Sequence, residues 1–189
     1  MKNNVVEDFQ YIIKDISISS APIMELYKDT LTVNMLEKMI RKYIDRMSFN
    51  NIKIPSWRIA HTEEDSVFFK QNFIDGMSAK KYIENSQSVY QIVDLFKLIY
   101  FDVVNLYHCC PDIAVDLNLE NFIISSDGVF LIDYSPPIIL PMVVKSESLL
   151  FKLFCDRQYH LYAMIYYFCK GIISNSVLSY KEKVTAILL

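Results

Sequence analysis

Three oxygen-bearing side chains, Asp116, Asn121 and Asp133, have the types and spacing to do chemistry together. They share one stretch, Ala114 to Pro137, that reads AVDLNLENFIISSDGVFLIDYSPP. Asp116 and Asn121 sit five residues apart in the polar turn Asp116-Leu117-Asn118-Leu119-Glu120-Asn121, and Asp133 follows twelve residues later. Between Asn121 and Asp133 run two apolar segments, Phe122–Ile124 and Val129–Ile132, joined by Ser125-Ser126-Asp127-Gly128. Asp-Gly between two β-rich runs predicts a hairpin. Closing it brings the start of the first strand beside the end of the second, so Asn121 and Asp133 meet, with Asp116 nearby. Such a set suits phosphoryl transfer, which needs Mg²⁺ held by oxygen ligands and a carboxylate at the attacking hydroxyl. Asp and Asn at turns also cap strands and bond their own backbone, which is the competing structural reading.

The order Asp, Asn five residues on, hairpin, Asp resembles the catalytic loop and metal-binding Asp of the protein-kinase-like superfamily. Asp-Leu-Asn-Leu-Glu-Asn and Leu-Ile-Asp-Tyr-Ser look closest to its atypical members, such as RIO kinases and aminoglycoside-type phosphotransferases. The resemblance implies Asp116 as catalytic base and Asn121 and Asp133 as Mg²⁺ ligands. Asn118 falls where relatives carry Lys, His or Ser; it offers a hydrogen bond to phosphate or hydroxyl but no charge. Other departures are Ala114 in place of His two residues before the Asp, and Tyr134-Ser135 after Asp133 in place of Phe-Gly or Trp-Gly. Pro136-Pro137 then stiffens the exit from the site.

The elements that must position these residues follow from hydrophobic period. Residues 4 to 28 read as strands, including Tyr11-Ile12-Ile13 with Ile16 and Ile18 alternating, then Pro22 to Lys28. From Thr32, Leu36, Met39, Ile40, Tyr43, Ile44 and Met47 recur at helical spacing, with Thr32 or Asp29 as cap. In the kinase-like reading this is the small lobe. Lys28 is then the strand lysine that touches nucleotide phosphates, with Lys14 as its competitor, and Glu37 the helix carboxylate that pairs with the lysine. Glu37 also stands one turn before Arg41, and that surface pair is the alternative. Ile52 to Ile74 reads as two strands around the charged turn His61–Asp65, ending at Asp75-Gly76. The resemblance makes this end the hinge between lobes, where backbone at Phe73 and Ile74 meets an adenine edge; an ordinary turn is the alternative.

Ser78–Ile83 starts a short helix. Ser88 to Tyr107 forms a long one, apolar nearly all round (Val89, Ile92, Val93, Leu95, Phe96, Leu98, Ile99, Val103, Leu106), and so predicted to be central. Lys145 to Cys169 supplies the closing helices, including Asp156-Arg157 and a run with Tyr159, Tyr162, Tyr166 and Tyr167. Core packing is the default reading for those tyrosines, with an exposed aromatic face as the alternative. No glycine precedes Gly76, so a kinase-type Gly-rich phosphate loop is missing.

Composition bounds the rest. The chain has 189 residues, 52% hydrophobic and 14% aromatic, enough for one compact two-lobed unit with a sizeable core. A net charge of −3 without a basic cluster argues against a nucleic-acid partner. Cys109, Cys110, Cys155 and Cys169 make no metal-ligand spacing with His61, His108 or His160, and reduced thiols point to the cytoplasm. His108-Cys109-Cys110 reads as a buried helix end. The N-terminus lacks a signal-peptide core and no stretch is of membrane-spanning length.

The sequence therefore predicts an α+β, protein-kinase-like two-lobed fold. Residues 1–74 form a reduced N-terminal lobe, and 75–189 a helical C-terminal lobe carrying the 114–137 hairpin. The implied activity is an ATP- and Mg²⁺-dependent phosphotransferase acting on a hydroxyl of a small molecule or peptide. A pseudokinase working through a protein partner is the alternative, and an unrelated α+β domain the third reading.

Overall fold

In the computed structural model, the described residues are 11–20, 31–133, 138–139 and 147–189. They form a mixed α+β architecture of small antiparallel sheets and five α-helices. The first sheet contains β1 (Tyr11–Ser17), β2 (Trp57–Thr62) and β3 (Ser66–Asn72), in the order β1-β3-β2. Its strands pair antiparallel, with Lys14 opposite Phe69 and Ile12 opposite Gln71. Side chains alternate across a strand, so Val67, Phe69 and Gln71 share the buried face of β3. On β1 the same alternation buries Lys14 together with Ile16. The predicted strand over 22–28 lies outside the described residues, as do Lys28 and Tyr134–Pro137.

Helix α1 (Val33–Phe49) starts at Thr32, whose side chain accepts from Met35 N at 3.3 Å. It buries Leu36, Ile40, Tyr43, Ile44 and Met47 in one stripe, as the spacing predicts. Its end is a Schellman turn: Asn51 takes φ +65°, Ile52 N donates to Met47 O at 3.1 Å and Asn51 N to Ser48 O at 3.3 Å. Ile52 is then buried, and Lys53 meets the far hairpin, accepting from Leu131 N at 2.8 Å.

The predicted hairpin forms from β6 (Phe122–Ser125) and β7 (Gly128–Leu131), with Ser125 opposite Gly128 and Phe122 opposite Leu131. Gly128 takes φ +122°, a conformation that strains a side chain, and an added Cβ would meet Lys53 Nζ at 2.7 Å. Strand β4 (Met77–Ser78) adds to β6, giving the order β4-β6-β7. Gly76 lets that approach happen, because a Cβ there would lie 2.2 Å from Ile124 O. A further pair joins β5 (Ile113–Ala114) to β8 (Ile138–Ile139).

Around the hairpin lie α2 (Ala79–Asn85), α3 (Val89–Cys109), α4 (Glu147–Ser174) and α5 (Tyr180–Leu188). Phe96 of α3 stacks on Phe168 of α4 with ring centroids 4.0 Å apart. Asn175, fully buried, knots the ends of α2 and α4 together. Its Nδ2 donates to Ile83 O and Ser86 O, and its Oδ1 accepts from Val177 N and Leu178 N.

Three expectations change. Helix α3 is not enclosed on all sides: Tyr90, Leu98 and Phe101 line an exposed face, because no described element packs there. Tyr159, Tyr162, Tyr166 and Tyr167 are exposed as well, since Met164, Phe168 and Ile172 take the buried stripe of α4. At the His108-Cys109-Cys110 end only Cys110 is buried. No helix among the described residues is long and apolar enough to cross a membrane.

Candidate active site

The hairpin closes at its open end by a backbone bond: Ile132 N donates to Asn121 O at 2.8 Å. That bond extends the β6–β7 ladder one step and sets Asn121 beside the residue preceding Asp133. Asp116 joins from the turn before. Its Oδ2 accepts from Asn121 Nδ2 at 3.3 Å, and its Oδ1 from Asn118 N at 3.1 Å. Asn118 Oδ1 accepts from Glu120 N at 3.1 Å, capping the short 3-10 turn Leu119–Asn121. The turn is therefore self-bracing, and its two leucines, Leu117 and Leu119, are buried beneath it. Alternation of polar and apolar residues through 116–121 leaves the oxygens outside and the leucines inside.

Asp133 is held from the first sheet. Lys14 Nζ lies 3.2 Å from Asp133 Oδ1 and donates to Ile132 O at 2.6 Å. A lysine on a buried strand face needs such partners, because an uncompensated ammonium out of water costs several kcal/mol or more. Gln71, on the same buried face of the sheet, also donates to Ile132 O at 3.1 Å. Its Oε1 is buried and finds no donor among the described residues.

Two buried phenols anchor the segment that leads into the turn. Tyr43 OH donates to Ala114 O at 2.7 Å. Tyr107 OH donates to Val115 O at 3.3 Å and accepts from Val115 N at 3.0 Å. Burial pushes the Tyr43 hydroxyl well above the ordinary tyrosine value, and electrostatic interaction with Tyr107 and with the Asp116 and Asp133 carboxylates pushes the same way. Both site carboxylates thus act on one buried hydroxyl. Burial likewise raises Tyr107 to about 12, against lowering by the Val115 bond and the Arg157 guanidinium.

The predicted residues do not all converge. Asp116, Asn118, Asn121 and Asp133 share the site, and Lys14 lies beside Asp133. Glu37 turns to Arg41, with Arg41 Nε donating to Glu37 Oε1 at 2.9 Å, the helical pairing its spacing offers. The Lys28–Glu37 pair falls outside the described residues. Phe73 and Ile74 lie in the irregular segment between β3 and β4, with Phe73 exposed.

Sequence reasoning missed His160, whose Nδ1 lies 3.8 Å from Asp116 Oδ1, and Arg157, one turn earlier on α4. No local spacing announces either, because both reach across from a separate helix. Gln71 had a signal: a polar residue in the inward register of Val67 and Phe69.

No cluster of three His, Cys, Asp or Glu side chains of metal-holding geometry occurs among the described residues. The donors at the hairpin end are all oxygen: the Asn121 amide carbonyl and the Asp133 carboxylate. Asn121 spends its Nδ2 on Asp116, which leaves Oδ1 as its ligating atom. One carboxylate and one amide oxygen fit Mg²⁺, which keeps waters and takes remaining ligands from phosphate. They do not fit a soft metal. The sequence matches no protein-family model and no curated protein.

Proposed function

We propose that this chain is an ATP- and Mg²⁺-dependent phosphotransferase of protein-kinase-like, two-lobed fold, acting on a hydroxyl of a small molecule or peptide. The observation that carries the reading is the closed end of the β6–β7 hairpin, where Ile132 N bonds Asn121 O and Lys14 bridges to Asp133. One end of one hairpin thus gathers an amide, a carboxylate and a buried ammonium, with a second carboxylate, Asp116, bonded to that amide.

Each residue has a distinct task. Asp116 orients the acceptor hydroxyl and takes its proton late in transfer. The hydroxyl oxygen bonds to the γ-phosphorus, and the bridging oxygen leaves on ADP with the electron pair of the broken P–O bond. Asn121 and Asp133 hold Mg²⁺, which when bound neutralises charge on the phosphates. Lys14 adds a fixed positive charge beside Asp133. Asn118 spends its side-chain carbonyl on the turn, so its amide N–H₂ is the group left for substrate.

The second reading, a pseudokinase that binds a protein partner, is favoured by the absence of glycine before Gly76. Thermal-shift titration with Mg·ATP separates the two, since a ligand that binds the native state raises apparent stability. Stabilisation that requires Mg²⁺ and disappears in Asp133→Asn supports the enzyme. No shift at millimolar nucleotide supports the binding module.

A further inference from the structure

Among the described residues, Asp116 meets one side chain from outside its own turn. His160 Nδ1 stands 3.8 Å from Asp116 Oδ1; the imidazole is 20% exposed and the carboxylate 57%. The helix that carries His160 is pinned at this height by Arg157, one turn back. The Arg157 guanidinium donates to Tyr107 O and to Pro111 O, and lies over the Tyr107 ring at 4.2 Å. Tyr107 in turn holds both backbone groups of Val115, the residue before Asp116. Helix α4 therefore reaches the site twice: through Arg157 and Tyr107 to the backbone, and through His160 to the carboxylate.

The other bonds of Asp116 come from Asn118 and Asn121, within its own six-residue turn, and hold the turn as much as the carboxylate. An exposed carboxylate with only those bonds keeps side-chain freedom that a reacting geometry must remove. We infer that His160 is a positioning residue, whose Nδ1 holds Asp116 Oδ1 toward α4 and leaves a lone pair of Oδ2 for the acceptor hydroxyl. At 3.8 Å the contact is electrostatic, and it tightens to a hydrogen bond when substrate fills the site, as such bonds commonly do. This role rests on the phosphotransferase reading.

The test uses the full chain with Mg·ATP, water as acceptor and phosphate release as readout. His160→Ala lowers kcat by about 10-fold or more and leaves KM for ATP within about 2-fold. His160→Asn, whose amide nitrogen stands where Nδ1 stood, restores a donor and recovers most of that rate. Unchanged kcat in His160→Ala, or an Asn variant no faster than Ala, overturns the role. A separate measurement follows the ¹⁵N resonance of His160 Nδ1 in the wild-type chain and in Asp116→Asn. An unmoved resonance overturns the contact itself, whatever the activity. If the wild-type chain neither binds Mg·ATP nor releases phosphate, the phosphotransferase reading falls and the positioning role with it, while the resonance still reports whether the two side chains touch.

Discussion

At the Asp133 end of the site the carboxylate meets Lys14, 119 residues earlier in the chain and only 8% exposed. At the Asp116 end the carboxylate is 57% exposed, and its two hydrogen bonds come from residues two and five positions on. The first end is therefore set by tertiary structure and is stiff. The second is set by local sequence and is trimmed from across by one histidine. The division matches the chemistry proposed for the two ends: a metal ligand would gain from rigidity, whereas a base would have to reach both a substrate and solvent.

Substitutions that break this asymmetry rank in size. Lys14→Met removes the ammonium that meets the Asp133 carboxylate and the Ile132 carbonyl. We expect a loss of about 2–3 kcal/mol in urea unfolding, below the full buried-pair value because Asp133 is partly exposed. Lys14→Met with Asp133→Asn recovers part of that loss, and the double-mutant cycle reads the coupling. Tyr43→Phe removes the hydroxyl that bonds the buried Ala114 carbonyl and costs about 1–2 kcal/mol by the same measurement. Asn118→Ala removes only the cap of the 3-10 turn, so the expected cost is about 0.5–1 kcal/mol. An Asn118→Ala loss as large as that of Lys14→Met would erase the contrast between the ends.

The smallest effect is a control on a locally closed motif elsewhere. Ser179 and Glu182 form a capping box at the start of α5. The Ser179 hydroxyl and backbone N–H hold the Glu182 carboxyl below the usual glutamate range. A depressed carboxyl contributes stability above its unfolded value and loses it as pH falls through the folded one. Amide exchange at Lys183 should therefore quicken, relative to its intrinsic rate, as pH drops below the ordinary carboxylate range, with the global melting transition barely moved.

Local chemistry was legible in the sequence, and distant contact was not. Asp127-Gly128 between apolar runs announced the hairpin, and the Leu36–Met47 stripe announced α1, because both signals are written within a dozen residues. Alternation along β1 also points Lys14 inward with Ile12 and Ile16, a mark of a lysine with a buried partner. The partner itself, Asp133, lies on another element. Helix α5 was overlooked although Ser179-x-x-Glu182 is a start signal. Arg157 and His160 owe their roles to where α4 crosses α3 and the polar turn, which periodicity does not encode. The open faces at Leu98, Phe101 and the α4 tyrosines escaped for the converse reason: apolar side chains report what a helix is able to bury, not what is present to cover it.

The strand that carries Lys14 also limits how the protein can be dissected. A fragment beginning near residue 75 would retain the hairpin and every helix from α2 onward, yet would expose an anionic terminus to water where an ammonium had stood. Dividing the gene there would then part Lys14 from Asp133, and restoring the pair would require the N-terminal strand to be supplied in trans.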